Sequence, residues 1–498
     1  MSKMQGGGGI TRADASSTYA LLVPPPTGVA ATDYANILAT YTALPSTGGI
    51  LRLQAGTYAL GTNTLTFTKR VTLEGCGSAD IYWRNVGSLI TSTSTTSDLI
   101  TLAAHGCIVR NLTLDNLAVS APTAGSGIKV TVGDGFRIES VSARGFWINI
   151  DVYDGAEWWI TNCNIYGPVK YGIRVAHTDL PDGGDGTISG CQIIAAAPYN
   201  APDAGLYWVS SGGLRLANNK FNGRSTAKFL DGARYDTGAG VATGILLLTG
   251  NSIENWSRHG LYMTSPSVGA LSGIVITGNE FASSGATNSS IHINGSAGGA
   301  VSSVVITGNI LACPVSGIGA VKLNTTVGVH MAGNKSYQGN LLTTRIGTNV
   351  GFRLEDRTFP VRGVGPNTNT ATGTAGVFAD LMTVTLQDVA VGDLLKMEFD
   401  ATLFGTAVGD SMYVQFMIGA TAVNQQMAIV TFPTAAAWVP VHRTVYWTVD
   451  NASDVVADIC TVKVQIAKGG GTQGNVYGST SYSRSAFAVT NLYNESTG

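Results

Sequence analysis

Apolar and polar positions alternate along much of this chain with a period of two, and the alternation returns in nearly the same words. "IVITGNEF" (Ile274 to Phe281) comes back as "VVITGNIL" (Val304 to Leu311). In the first, Ile274 and Ile276 alternate with Val275 and Thr277, and a Gly follows at once. This reads as a half-buried β-strand that ends in a corner, because period two is the strand signature and Gly accepts positive φ. The i, i+3, i+4, i+7 spacing of a helix does not fit.

Aligning on the Asn after the Gly extends the series. Asn219, Asn251, Asn279, Asn309 and Asn334 mark successive copies, and Cys76, Leu112, Val141, Cys163 and Cys191 hold the place upstream. Successive markers lie 22 to 36 residues apart, so core length is held while loops vary. Units this short, made of strands and corners, bury a core only by stacking on their neighbours. Coils stacked at ~4.8 Å build a parallel β-helix, in which marker amides form one inward hydrogen-bonded column. Cys76, Cys163 and Cys191 then read as small buried thiols in that column.

Each unit carries a second strand signal, as in "GIKV" (Gly127 to Val130), "WINIDV" (Trp147 to Val152), "GIRV" (Gly172 to Val175), "GLYW" (Gly205 to Trp208) and "GLYM" (Gly260 to Met263). Alternation sends its apolar residues inward and aims Lys129, Asn149, Asp151, Arg174, Tyr207, Tyr262, His292 and Lys322 outward. A polar and aromatic face therefore runs along the solenoid.

Residues 1–31, with "GGGG" and "VPPPTG", read as a flexible head and linker. A short helix follows, with Thr32 or Asp33 as its cap and Ile37, Leu38, Tyr41 and Leu44 on one face. Such a helix covers the first coil. The β-helix with its capping helix is expected over 32–339 and a linker over 340–365. From 366 to 498 separate alternating strands such as "MYVQFMI" and "RTVYWTV", with no helices between them, predict a compact antiparallel β-sandwich.

Composition narrows the partner. Charged residues are 12% of 498 and the net charge is −2, so no basic field points to nucleic acid. Eight Trp and 18 Tyr in so uncharged a chain favour a partner met by stacking and hydrogen bonds. The six Cys include no C-x-x-C pair, which argues against zinc, and disulfides are not indicated, which suits assembly in a reducing cytoplasm. "DLPDGGDG" misses the spacing of a calcium loop. No metal or other cofactor is expected. No apolar run has the length of a membrane span or of a signal peptide.

"TDYANILATYTALPSTGGILRLQAGTYAL" (Thr32 to Leu60) resembles the opening of pectate-lyase-like right-handed β-helices, in which a helix precedes a GG-x-φ-x-φ-x-x-G-x-Y strand. Gly48, Gly49, Leu51, Leu53, Gly56 and Tyr58 match it, and "VTLEGCG" is similar to the first-coil phrase. With a short head and a C-terminal sandwich, the whole resembles bacteriophage tailspikes. That resemblance implies a parallel homotrimer on the virion tail, assembled in the host cytoplasm and joined to other tail proteins through the N-terminus. It also implies binding, and often cleavage, of capsular polysaccharide or lipopolysaccharide O-antigen.

Glycoside hydrolysis needs two carboxylates across the scissile bond, ~5–5.5 Å or ~6.5–9.5 Å apart, and adjacent coils bring either spacing within reach. The expected site spans roughly Trp147 to Asp236, where loops are long and acids dense. Asp151, Asp179, Asp203 and Asp231 are its candidate catalytic residues. Trp147, Trp158, Arg174, Tyr207, Trp208 and Arg234 are candidates for holding sugar, although Trp208 is one step out of phase with Tyr207. Asp154 in an Asp-Gly turn is equally ordinary turn chemistry. "RHG" (Arg258 to Gly260) is similar to the His tripeptide of polygalacturonases but lacks the paired Asp motif, and a surface His is expected. A polysaccharide lyase would instead use a base such as Lys129, Arg174, Tyr207 or Tyr262 beside a neutralised uronate. The expected activity is endo-acting hydrolysis of the glycosidic bonds of bacterial polysaccharide, with a polysaccharide lyase and a non-cleaving adhesin as the alternatives.

Overall fold

The computed structural model describes residues 20–336 except 78–86, 177–183, 198–200, 210–211, 225, 237–244, 266–270, 284–288, 296–300, 312–319 and 325; beyond 336 it describes chiefly β-strands. Most of the expected head (residues 1–19) and Asp179 lie outside the described residues. The chain divides into two compact units. One is Met1–Val329 with two short segments up to Asn349, and the other is chiefly Val350–Gly498.

The first unit is a parallel β-helix with three strands per coil. Trp158–Thr161, Asn164–Tyr166 and Tyr171–Ala176 form one coil. The next is Gly186–Ser189, Gln192–Ala195 and Ala204–Val209, each strand paired in parallel with its counterpart above. We call the strand before the corner, the strand after it and the Gly-led strand the first, second and third faces. The third face is an 11-stranded parallel sheet from Leu65–Phe67 to Thr343–Ile346. Its last strand falls in the segment expected to be a linker, so the stacking runs past residue 339.

The corner explains the recurrent phrase. The residue before every marker but Cys76 is left-handed: Asn111, Ser140, Asn162, Gly190, Asn218, Gly250, Gly278, Gly308 and Gly333, with φ between 53° and 65°. Gly takes this conformation at no steric cost and Asn at little, which is why "TGN" alternates with "TNC" and "ANN". The marker then turns inward. The Oδ1 of Asn219 accepts from Cys191 N, that of Asn251 from Asn219 N, that of Asn279 from Asn251 N, that of Asn309 from Asn279 N and that of Asn334 from Asn309 N, all at 2.9–3.1 Å. The expected ladder is present from Cys191 to Asn334. Cys163 and Cys191 are buried in it, but Cys76 is exposed, and the Gly75 before it does not take the left-handed turn of the other corners.

The Gly that opens the third-face strand has a separate cause. A Cβ at Gly172, Gly205, Gly232 or Gly260 would stand 2.5–2.7 Å from the carbonyl oxygen of the next coil. Inside, aromatic rings stack coil on coil: Phe136 on Trp158 at 5.5 Å, Trp158 near Trp208 at 6.1 Å and Trp208 on Tyr235 at 6.2 Å.

The cap is the helix Ala30–Thr42, with Ile37, Tyr41 and Leu44 buried and Leu38 exposed, so Leu38 is not part of its packed face. Its N-cap is Val29 without a side-chain bond, not Thr32 or Asp33. Asp33 is instead buried within the first turn, where its carboxylate accepts from Thr27 N, Gly28 N and Ala59 N at 2.7–3.0 Å. It ties the helix to the first coil, and the helix dipole favours an anion there. No helix among the described residues is long and apolar enough to cross a membrane.

Among the described residues the second unit holds two antiparallel sheets of six strands each. Leu394–Gly405 pairs with Ala437–Thr448 in one, and Ser411–Ile418 with Ile459–Gly470 in the other.

Candidate functional site

The third face sets one outward residue from each coil into a column. The pairing register runs Lys129, Asp151, Arg174, Tyr207, Arg234, Tyr262, His292 and Lys322. At ~4.8 Å per coil the stripe is about 34 Å long. Seven of its members are those that alternation aims outward. Asn149 is not one of them. It is buried, accepting from Phe146 N at 3.1 Å and donating to Tyr166 O at 3.1 Å, so its amide serves a corner.

The upper stripe is a run of ion pairs and rings. Arg174 donates through Nε and Nη2 to the two oxygens of buried Asp151 at 2.7 and 2.6 Å. Tyr171 and Tyr207 stack at 4.7 Å with 13° between planes, and Lys170 lies 5.4 Å over both Trp147 and Tyr171. Burial pushes the Tyr171 hydroxyl up, reinforced by Asp203 beside it. Burial and then Asp236 push Tyr207 up to about 12. Both phenols therefore stay protonated and act as donors. Arg234 lies 5.5 Å over Tyr207 and 5.6 Å over Tyr262, and its Nε donates to Asp236 Oδ2 at 2.9 Å.

The lower stripe holds a hydrogen-bonded chain of three side chains. Asp231 is fully buried. Arg258 grips both its oxygens, with Nε at 3.0 Å from Oδ1, and His259 Nδ1 lies 3.1 Å from Oδ1. His292 Nδ1 lies 3.1 Å from His259 Nε2. Burial alone would raise the Asp231 carboxyl, but the bonds from His259 and Arg258 outweigh it and hold the group below the usual range. An ionised carboxylate only accepts, so His259 carries its proton on Nδ1. Where His259 Nε2 accepts from His292 Nδ1, His292 Nε2 is left as a lone pair. Among the described residues that nitrogen has no hydrogen-bond partner. Burial first, then the neighbouring His259 and Lys322, lower His292 to about 3. Tyr262 stacks on His259 at 4.9 Å and 12°.

These contacts sort the expected site residues. Asp151 meets Arg174, Tyr207 meets Arg234, and Asp203 meets Tyr171. Trp147 is partly exposed on the outer side. Trp158 and Trp208 are fully buried core residues and cannot stack on a glycan. Trp158 shares phase with inward Ile160, and Trp208 is the inward neighbour of Tyr207. Asp231, one of the candidate acids, is held by Arg258 and His259. Arg258 and His259, which hold it, were visible only as "RHG", and His259 is not a surface His: it is buried.

The described candidate acids are each engaged by another side chain: Asp151 by Arg174, Asp203 by Tyr171, and Asp231 by Arg258 and His259. Among the described residues no group of three or more His, Cys, Asp or Glu is placed to hold a metal.

Residues 55–224 match the family described as "Right handed beta helix region". No curated protein matches the chain in sequence. Solved structures of similar fold include the mannuronan C-5 epimerase AlgE6 A-module of Azotobacter vinelandii, at 16% identity over 64% of this chain and 90% of that one, with a TM-score of 0.45. Another is the tailspike protein gp49 of Acinetobacter baumannii bacteriophage Fri1, a capsular polysaccharide depolymerase, at 13% identity over 96% and 87%, TM-score 0.42. A third is the DFA-IIIase of Arthrobacter chlorophenolicus A6, at 14% identity over 67% and 94%, TM-score 0.46. The family match and the stacked parallel coils identify the fold as a right-handed parallel β-helix.

Proposed function

We propose that this protein is a depolymerase of the tailspike type, which binds bacterial capsular polysaccharide or lipopolysaccharide O-antigen along the third-face stripe and cleaves it at the histidine cluster. The observation that carries the reading is the Asp231–His259–His292 chain, set beneath Arg234, Arg258 and Tyr262 in a stripe of rings and ion pairs. The chemistry this arrangement supports best is elimination from a uronate-bearing glycan. The guanidinium groups of Arg234 and Arg258 draw charge from the uronate carboxylate and so acidify its C5 proton. A neutral imidazole, His292, whose Nε2 is buried until the bound glycan draws the ring outward, takes that proton, and the chain through His259 to Asp231 spreads the positive charge it gains. Tyr207, whose phenol stays protonated, can pass a proton to the departing sugar oxygen.

The protein acts as a parallel homotrimer on the virion tail, assembled in the host cytoplasm and joined to tail proteins through its N-terminal segment. The C-terminal antiparallel unit locks the trimer or binds glycan.

The test is to incubate purified protein with capsule and O-antigen preparations, analyse the products by mass spectrometry, and follow absorbance near about 235 nm, the signature of an unsaturated uronate made by elimination. Elimination predicts that absorbance, with a loss of at least a hundredfold in His259→Asn and His292→Gln proteins that melt like wild type. New reducing ends without absorbance would mean hydrolysis. Binding without any cleavage would mean an adhesin.

A further inference from the structure

We propose that a groove on the first face is a second saccharide-binding site, distinct from the stripe and selective for neutral sugar. The groove holds about 580 Å³, within the ~300–1,000 Å³ usual for small-molecule sites. Its floor is the outward column Trp159, Thr187, Arg215 and Leu247, one residue from each of four consecutive coils. Its lip carries two exposed carboxylates, Glu157 and Asp185. Trp158 pairs with Gly186, so these two acids are direct neighbours on adjacent coils. Trp158 N donates to Asp185 O at 3.2 Å, which confirms the register.

Three features point to a sugar. First, Trp159 is outward where its neighbour Trp158 is core, and Arg137 sits 4.9 Å over its ring and fixes it. A fixed indole at the edge of a groove is a platform for the C–H face of a pyranose. Second, Asp185 is anchored, its Oδ1 accepting from Gly213 N at 2.7 Å. An anchored carboxylate accepts hydroxyl hydrogen bonds at little cost in side-chain entropy. Third, Arg215 lines the same groove as the two acids, so a donor and acceptors are available to one ligand. Arg137 over Trp159 is paired with Glu139 at 3.8 Å, so the remaining balance of two carboxylates to one guanidinium repels anions, which selects neutral saccharide over uronate or phosphate. Cations concentrate instead along the third-face stripe.

The experiment titrates the full-length protein with cellohexaose, laminarihexaose and maltohexaose by calorimetry, with saturation-transfer NMR to identify the bound rings. At least one neutral hexasaccharide is expected to bind. Its Kd should weaken at least tenfold in Trp159→Ala and in Asp185→Asn and hold within twofold in Trp159→Phe, which keeps an aromatic platform. It should also hold within twofold in His292→Gln, a variant of the other face. Three results would each overturn the proposal: no binding of any of the three to wild type, binding indifferent to Trp159→Ala and Asp185→Asn, or binding lost in His292→Gln. Cleavage of capsule is read separately, so failure of this site and failure of the depolymerase reading are distinguishable.

Discussion

Replacing Asn279 with Leu tests the ladder that holds the coils in register. Asn279 is buried in mid-column. Its Oδ1 accepts from Asn251 N and Asn251 Nδ2, both at 2.9 Å. Its Nδ2 donates to Leu248 O at 3.1 Å and to Asn309 Oδ1 at 3.0 Å. Leu has nearly the same size and makes none of these bonds. The Asn251 backbone N–H loses its ladder acceptor, at about 1–3 kcal/mol for a buried donor, and the other bonds contribute about 1 kcal/mol each. Burying the extra apolar surface of Leu returns about 1–2 kcal/mol. The net expectation is a loss of about 2–5 kcal/mol. Urea denaturation followed by circular dichroism measures the total, and hydrogen exchange at the Asn251 amide reads the orphaned donor itself. An unchanged midpoint together with unchanged exchange at Asn251 would refute the reasoning, because the amide would then be a passenger of the turn.

Other expectations follow from the same contacts. Because burial lowers His292 to about 3, the unfolded chain binds the extra proton between about pH 6.5 and 3. His292 therefore costs stability progressively as pH falls through that window, and His292→Gln should flatten the acid limb of a melting-temperature profile. Asp231→Asn leaves the Arg258 charge without its partner and frees the His259 tautomer, so it should lower the melting temperature and abolish at least 99% of any cleavage. Arg258→Lys, which cannot make the fork, should give an intermediate loss. Trp208→Ala should cost about 3–5 kcal/mol by opening a core cavity, whereas Tyr207→Ala should leave denaturation nearly unchanged and weaken glycan binding; equal effects would mean that the alternation has been misassigned. Multi-angle light scattering at micromolar concentration should report three chains, and a monomer would remove the trimer from the proposal.

What the sequence determined by itself was the periodic part of the molecule. Period two, the left-handed corner and the inward amide are local, so they appear wherever the phrase "ITGN" appears. Their repetition leaves stacking as the only way to bury Ile274, Ile276 and their equivalents. For the same reason alternation named Arg174, Tyr207, Tyr262 and His292 as outward before any coordinates. The tertiary structure decided what depends on distance across coils. Asp231 and Arg258 are 27 residues apart in sequence and His259 and His292 are 33 apart, yet each pair is in contact. The loops between coils set that register, and no local pattern encodes their lengths. Adjacent residues parted for a related reason. Trp158 and Trp159 read alike in the sequence, but a strand sends neighbours to opposite sides, and only the packed core showed which ring was buried. Asp33 likewise carries the signature of a helix cap, yet it ties the helix to Ala59, because the first coil offers its carboxylate backbone N–H donors that the sequence could not place beside it.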